Sequence, residues 1–245
     1  MPTVCLIRPP GYIHAEALAE LEETVRYGLE ALGAWGGPPR IVLGAHLPGY
    51  EPLPTDIIYN TEHPRSGWWG KEYPDLMRSR ETWDYSPSGY GLHVPIGYVP
   101  QLTRIPKADS QDIDVLFYGS INDRRAKVLT ELREAGLAVV NVFGVYGAER
   151  DALIARAKVV LNMHYYEPGE FESVRVSYLW ANRKCVVCEN SREMNGFVDY
   201  DRLAWWCQTY VRDGFYRLEA EQFMFERFAE VSEVDILREA LCGHL

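Results

Sequence analysis

A repeating order of short apolar runs and helical stretches constrains this chain more than any single motif. "TVCLIR" (3–8) is an apolar, partly β-branched run, and "PPGY" breaks it. In "HAEALAELEETVRYGLEAL", Leu18, Leu21, Val25, Leu29 and Leu32 recur every three or four residues with acids on the other face, which predicts a helix. "GGPP" ends it. "RIVLGAH" (40–46), "DIIYNTE" (56–62), "TWDYS" (82–86) and "HVPIGYV" (93–99) follow as strand candidates. The aperiodic, proline-bearing "PQLTRIPKADSQD" (100–112) reads as a linker. The alternation then restarts with "IDVLFYG" (113–119), a helix over 123–135, "LAVVNVFG" (137–144) and a helix over 148–157. It continues with "KVVLNMH" (158–164), a helix from about 172 and "KCVVCE" (184–189), and closes on helical patterns in "EAEQFMFERFAEV" and "VDILREAL".

Apolar strands alternating with helices predict parallel sheets covered on both faces. Two such runs around a linker predict an α/β chain of two Rossmann-like halves, residues 1–106 and 107–245. In such sheets ligands bind at the carboxyl ends of strands, which selects the loops to examine.

Composition narrows the function classes. The net charge of −10 is spread evenly, −4 over residues 1–106 and −6 over the rest, with no basic tail, so bulk electrostatics oppose tight non-specific nucleic-acid binding. A local basic cleft remains open to the chain, with Arg8, Arg65, Lys71, Arg78 and Arg80 as its candidate lining. No apolar run approaches the roughly 20 residues of a membrane span. "MPTVCLIRPPGY" lacks the basic flank of a secretory signal, and five scattered cysteines fit reduced thiols, so a cytoplasmic location is expected. Cys185 and Cys188 in "CVVC" read as packing residues of a strand.

Three strand-end loops carry polar groups. In "YGSINDRR" (118–125), Gly119 and Ser120 permit close backbone approach, and Asn122 or Asp123 suits a helix cap. Arg124 and Arg125 then stand in a first helical turn, where the helix dipole disfavours cations. A bound phosphate would resolve that conflict; two solvated arginines are the alternative. In "MHYYEPGEFESVR" (163–175), His164 and two tyrosines lead into Glu167, Glu170 and Glu172, then Ser173 and Arg175. Acids in a first turn stabilise the dipole, but carboxylates beside aromatic rings also suit a polyhydroxylated ligand. Pro168 and Gly169 are expected to turn the chain so that free N–H groups near Glu172 and Ser173 meet an anion. In "YNTEHP" (59–64), Glu62 or His63 could serve as a general base, with a capped loop as the equal alternative. There is no G-x-x-x-x-G-K-[ST] and no G-x-G-x-x-G, which disfavours a P-loop or simple dinucleotide enzyme. "DID" (112–114) enters a strand rather than ending one, so no divalent-metal motif is evident.

At these loops the sequence resembles the GT-B nucleotide-sugar glycosyltransferases, in particular bacterial and phage proteins with a glycosyl-transferase-like C-terminal domain. The resemblance rests on "IYNTEHP", "WDYSPSG", "VPIGYVPQLTRIP", "DIDVLFYGSINDRR" and "FGVYGAERDALIARAKVVLNMHYYEPGEFESVRVSYLWANRKCVVCE", in order over residues 57–190. It implies two Rossmann-like domains facing a cleft, the first reduced. It implies a nucleotide-diphospho-sugar donor, a UDP-sugar foremost, held mainly by the second domain. It also implies an acceptor held by the first, no catalytic metal and no cofactor beyond the co-substrate. Gly119, Ser120, Asn122, Arg124, Arg125, His164, Glu170, Glu172, Ser173 and Arg175 would bind the donor; Glu62, His63 and Glu170 would carry the chemistry.

Many retaining members of that group carry two glutamates eight positions apart. Glu170 fits the first position and the second falls on Tyr178, with Glu172 or Arg175 as substitutes, so retaining and inverting chemistry both stay open. The acceptor is a glycan or, given the phage likeness, a hydroxymethylated base in DNA. The short first half is compatible with dependence on a partner, a second copy included. A non-catalytic nucleotide-sugar or glycan-binding protein on the same scaffold is the alternative function.

Overall fold

The computed structural model describes the whole chain except Met1, Trp35, Trp68, Ser88, Pro168 and residues 193–196 and 243–245. The chain forms two compact units, residues 1–102 with 229–245, and residues 103–228. Each is built on an all-parallel sheet, as the alternating pattern predicts.

In the first unit, β1 (Thr3–Leu6), β2 (Arg40–Leu43), β3 (Ile57–Asn60), β4 (Glu81–Asp84) and β5 (Leu92–His93) lie side by side in chain order. A 3-10 turn (Ile13–Leu18) and α1 (Ala19–Ala31) link β1 to β2, and α2 (Glu72–Arg78) links β3 to β4. Among the described residues the other two connections carry no helix. Ile41, Val42, Leu43, Ile57, Ile58, Tyr59 and Trp83 are fully or almost fully buried, as continuous apolar strands in a covered parallel sheet require. The strand expected over 93–99 is confined to Leu92–His93. Pro95 and Pro100 have no N–H to give a ladder, so the buried Val94–Val99 stretch runs on irregularly.

The second unit contains β6 (Ile113–Tyr118), α3 (Asp123–Glu134), β7 (Val139–Val142), α4 (Gly147–Arg156), β8 (Ala157–Asn162), α5 (Ser173–Ala181) and β9 (Val186–Cys188). After these come α6 (Leu203–Arg212), which the sequence pattern did not single out, and α7 (Gly214–Ala229). Strand order is β7-β6-β8-β9, so the winding direction reverses between β6 and β8. The alternation along the strands sends Val115, Phe117, Val159 and Leu161 to one face, against Val128, Leu129 and Leu132 of α3 and Leu203, Ala204 and Cys207 of α6. Leu116 and Val160 pack on the other face against Ile154 of α4 and Leu179 of α5. Cys185, in the first of these clusters, and Cys188, at the end of β9, are buried free thiols, in keeping with a packing role.

The expected division at residues 106 and 107, with everything beyond in the second half, does not hold at the C-terminus. The last helix, α8 (Glu233–Ala240), belongs to the first unit. Tyr98 N–H donates to the Val231 carbonyl at 2.7 Å, and Gly97 N–H donates to the Glu233 carboxyl at 2.6 Å. A side chain at Gly28 of α1 would meet Leu237 Cδ1 at 2.6 Å, and one at Gly97 would meet the Glu233 backbone N at 2.6 Å, so both glycines allow α8 to seat closely. The apolar spacing in "VDILREAL" marks a helix but does not say which sheet will cover it.

Candidate functional site

The strand order reverses between β6 and β8, and the end of such a switch point is the usual ligand position in an open parallel sheet. Here the loop after β6 opens with Gly119 at φ +152°, a conformation that favours glycine. A Cβ there would stand 3.5 Å from both Arg125 Nη1 and Arg175 Nη2, so this backbone borders two guanidinium groups. Asn122 caps α3, its Oδ1 accepting from Arg125 N–H at 3.0 Å while its Nδ2 donates to the Tyr165 carbonyl at 2.9 Å. One side chain therefore starts the helix and ties it to the loop after β8.

The two arginines of α3 meet the helix dipole in a way the sequence did not disclose. Arg124 makes a two-pronged ion pair with the buried Glu189 and lies 3.9 Å over the Tyr200 ring. Arg125, 3% exposed, donates to the carbonyls of Ser120 (2.9 Å), Met163 (2.5 Å) and His164 (3.3 Å) and to Glu172 Oε1 at 3.2 Å. Burial pushes the Arg125 guanidinium down to about 10, with Glu172 opposing the shift. The first-turn cations are thus answered by carboxylates and carbonyls of the protein itself. Their structural contacts account for them without a bound phosphate.

Arg175 is the more open cation. Its Nη1 donates to Asn162 Oδ1 at 3.1 Å, Glu172 Oε2 lies 2.9 Å away, and the group sits 5.0 Å over the Tyr118 ring. Glu172 therefore bridges Arg125 and Arg175 at the head of α5. The Ser173 N–H donates to the Phe171 carbonyl at 2.8 Å, which corrects the expectation that it would be free for an anion. Two buried polar atoms beside it make no hydrogen bond: Ser173 Oγ, and Nδ2 of the fully buried Asn162 at the end of β8.

His164 is buried rather than presented at the switch point. Its Nε2 lies 3.0 Å from the Asn190 carbonyl, its N–H donates to Glu189 at 2.9 Å, and a Cβ at Gly169 would fall 2.1 Å from its ring. Glu170 is half-buried in the following turn and Glu167 is exposed, 3.7 Å from Arg124. The expected Pro168–Gly169 turn includes a residue outside those described. Tyr178, at the position of the missing second glutamate, donates to Asp151 at 2.7 Å and accepts from Arg104 at 3.2 Å.

At the carboxyl edge of the first sheet the structure separates two neighbours the sequence left equal. His63 closes a local turn, its Nδ1 accepting from Arg65 N–H at 3.0 Å. Glu62 turns the other way and faces His46 at the end of the β2 loop, Nε2 to Oε1 3.4 Å. Burial pushes the Glu62 carboxyl up to about 7, the Ser66 hydroxyl opposing, and pushes the His46 imidazole down to about 4. Near neutral pH this is a neutral imidazole beside a carboxyl poised between its two forms, which suits proton transfer. Asn60 holds the backbone in place: its Oδ1 accepts from Glu62 N–H (3.1 Å) and from the Tyr73 hydroxyl (3.0 Å), and its Nδ2 donates to Asp84 at 2.7 Å. Asp84 also accepts from Ser86 and Tyr90 N–H, each at 2.9 Å. Sequence inspection missed His46, Tyr73 and Asp84. The available signal was position, since His46 closes the run 40–46 and Asp84 lies within the run 82–86.

Among the described residues no group of three or more His, Cys, Asp or Glu side chains gathers to hold a metal, and no helix is long and apolar enough to cross a membrane.

No family model matches the chain. Three proteins of Acanthamoeba polyphaga mimivirus are similar to it over part of its length. Uncharacterized protein L138 is 40% identical over 106 residues, 39% of this chain and 12% of that protein. Uncharacterized protein L140 is 29% identical over 114 residues, 44% of this chain and 37% of that protein. Uncharacterized protein L137 is 32% identical over 114 residues, 44% of this chain and 15% of that protein. The chain thus spans between about an eighth and somewhat over a third of the length of these relatives.

Proposed function

We propose that this chain is a glycosyltransferase of GT-B type that moves a sugar from a nucleotide-diphospho-sugar, a UDP-sugar foremost, to a hydroxyl acceptor. The observation that carries this reading is the cluster at the β6/β8 reversal. The Gly119 backbone, Arg175, Asn162 bonded to it and the head of α5 come together there. Donors of this kind favour a diphosphate. Glu170, with Glu172 beside the cations, would accept from sugar or ribose hydroxyls.

Glu62, in the first unit, is the candidate base for the acceptor. In an inverting transfer its carboxylate takes the acceptor proton as the acceptor oxygen bonds to the anomeric carbon. The bond from that carbon to the diphosphate oxygen breaks, and Arg175 stabilises the charge that develops on the leaving group. In a retaining transfer the same carboxyl would orient the acceptor.

A donor screen tests the reading. Incubation with a panel of nucleotide-diphospho-sugars and mixed hydroxyl acceptors should release nucleoside diphosphate and transfer sugar. Donor binding without release, from every donor tried, would favour the non-catalytic alternative. The internal engagement of Arg124, Arg125 and Tyr178 favours that alternative, because it removes three groups a catalytic donor site could have used. Neither binding nor release would overturn both readings.

A further inference from the structure

The C-terminal segment returns to the first unit through one short joint. Besides the bond from Tyr98 N–H to the Val231 carbonyl, Glu233 N–H donates to the Tyr98 carbonyl at 3.3 Å. Ser232 forms an isolated parallel bridge with Tyr98 and caps α8, its Oγ accepting from Asp235 N–H at 3.3 Å. Glu233 is the first residue of the helix and is only 1% exposed. Its Oε2 accepts from Gly97 N–H, while its Oε1 is buried with no hydrogen-bond partner. The seat is tight. A Cβ on Gly28 of α1 would fall 2.9 Å from Glu233 Cγ, and one on Gly97 would fall 2.7 Å from Glu233 Cα.

The surroundings offer an ionised carboxyl nothing to pair with. From α1 come Gly28 and, farther back on the buried side of that helix, Thr24 and the acid Glu20. The cation of α1, Arg26, is paired with Glu30 at 2.9 Å. From β3 comes Tyr59, whose hydroxyl donates to the Val94 carbonyl at 2.7 Å and whose proton is held more tightly because of Glu233 and Asp84. The 94–99 stretch brings the Gly97 N–H and Tyr98, and the 3-10 turn Pro100–Leu102 brings no ionisable side chain. On α8 itself, Asp235 and Arg238 pair with each other on the open side. Among the described residues Glu233 has no ion-pair partner.

The first turn of a helix favours a carboxylate, and so does the one N–H donor. Burial outweighs both and pushes the Glu233 carboxyl up to about 7. A protonated carboxyl can stay in such a place. An ionised one is a buried charge with one donor and no counter-charge, and it is relieved by moving into water.

We propose that Glu233 is a proton-operated latch on the C-terminal helix: protonated, it keeps α8 seated on α1 and the Gly97–Tyr98 backbone; ionised, it lets α8 leave that seat. The seated state binds a proton that a freed α8 gives up, so the seat is firm below about 4.5 and weakens as pH rises toward about 7. The latch does not depend on the glycosyltransferase reading.

The experiment is amide hydrogen exchange on the full chain, comparing α8 with β2 and β3. At each pH α8 should be less protected than these strands, the mark of an opening of its own. Between about pH 5 and about pH 8 its protection should fall roughly tenfold or more. Glu233→Gln keeps the shape and Glu233→Met the bulk of the side chain without its charge, and either should flatten that fall. Glu62→Gln, which removes the other carboxyl that titrates near neutrality, should leave the fall in place. Gly97→Ala, whose Cβ would strike the Glu233 backbone, should leave α8 poorly protected already at about pH 5. Protection of α8 equal at the two pH values, equal to that of the strands throughout, or falling undiminished in both Glu233 variants would each overturn the latch. So would loss of the fall in Glu62→Gln, or an α8 fully protected in Gly97→Ala.

Discussion

The two sheets handle charge differently at their carboxyl edges. In the second unit the winding reverses, and the strand ends there are laced with ion pairs: Arg124 on Glu189, Arg125 and Arg175 on Glu172. In the first unit the strands run in unbroken order with no reversal, and Glu62 and His46 face each other at 3.4 Å. The second edge pairs its charges with one another; burial drives the first toward neutrality, with Glu62 at about 7 and His46 at about 4. A carboxyl placed as Glu62 is can exchange a proton near neutral pH.

The hardest test of this contrast is to break a pair in the second unit. Glu189→Gln leaves the Arg124 guanidinium in a largely buried place without its counter-charge and should cost about 3 kcal/mol of stability. Denaturant unfolding measures it, and a loss below about 0.5 kcal/mol would mean that the network is ornamental. Arg124→Ala and Arg125→Ala should likewise reduce stability before they reduce nucleotide affinity.

The corresponding change in the first unit should act through pH. Glu62 has a folded-state pKa raised from 4.5 to about 7, so the native state holds a proton that the unfolded chain has lost across that window. Its contribution to stability is full below about 4.5 and fades as pH rises toward about 7. Relative to the wild type, Glu62→Gln should therefore gain stability over this interval, by about 2 kcal/mol after discounting for the partly exposed carboxyl. His46, lowered from 6.5 to about 4, has the opposite sign: its contribution is lost as pH falls through that range. A difference curve between Glu62→Gln and wild type that stays flat from pH 4.5 to 7 would refute the burial argument. In an inverting enzyme the same variant should lower kcat at least tenfold, about 1.4 kcal/mol, and remove the rise in rate as the carboxyl ionises.

A smaller effect is expected from Arg175, more open than Arg124 and Arg125. Arg175→Ala should weaken nucleotide-diphospho-sugar binding about tenfold, the lower end of what a charge-assisted hydrogen bond contributes, with little change in unfolding midpoint. Calorimetry showing unchanged affinity would move the diphosphate elsewhere. The smallest effect belongs to Glu167, whose side chain is 78% exposed: Glu167→Gln should leave stability within about 0.5 kcal/mol and affinity unaltered, marking where the charged network ends.

Much of this was legible in one dimension because it depends on neighbours in the chain. The runs around Val115, Leu116, Val159 and Val160 are apolar enough to be buried on both faces, which is why the parallel sheet could be read directly. Asn122 before a helical run is a cap by local chemistry, and it is one. Tertiary structure decided what depends on distance across the fold. Strand order, and with it the presence of a reversal in one sheet alone, follows from how layers pack, and nothing in a single strand encodes it. The fate of Arg125 depended on carbonyls 38 and 39 positions away, and the choice between Glu62 and His63 on His46 across two strands. A pKa is set by the dielectric and charge around a group, and those exist only once the chain has closed over it. The sequence could therefore name the carboxyl and the arginines, while folding chose which of them would be buried, paired or left open.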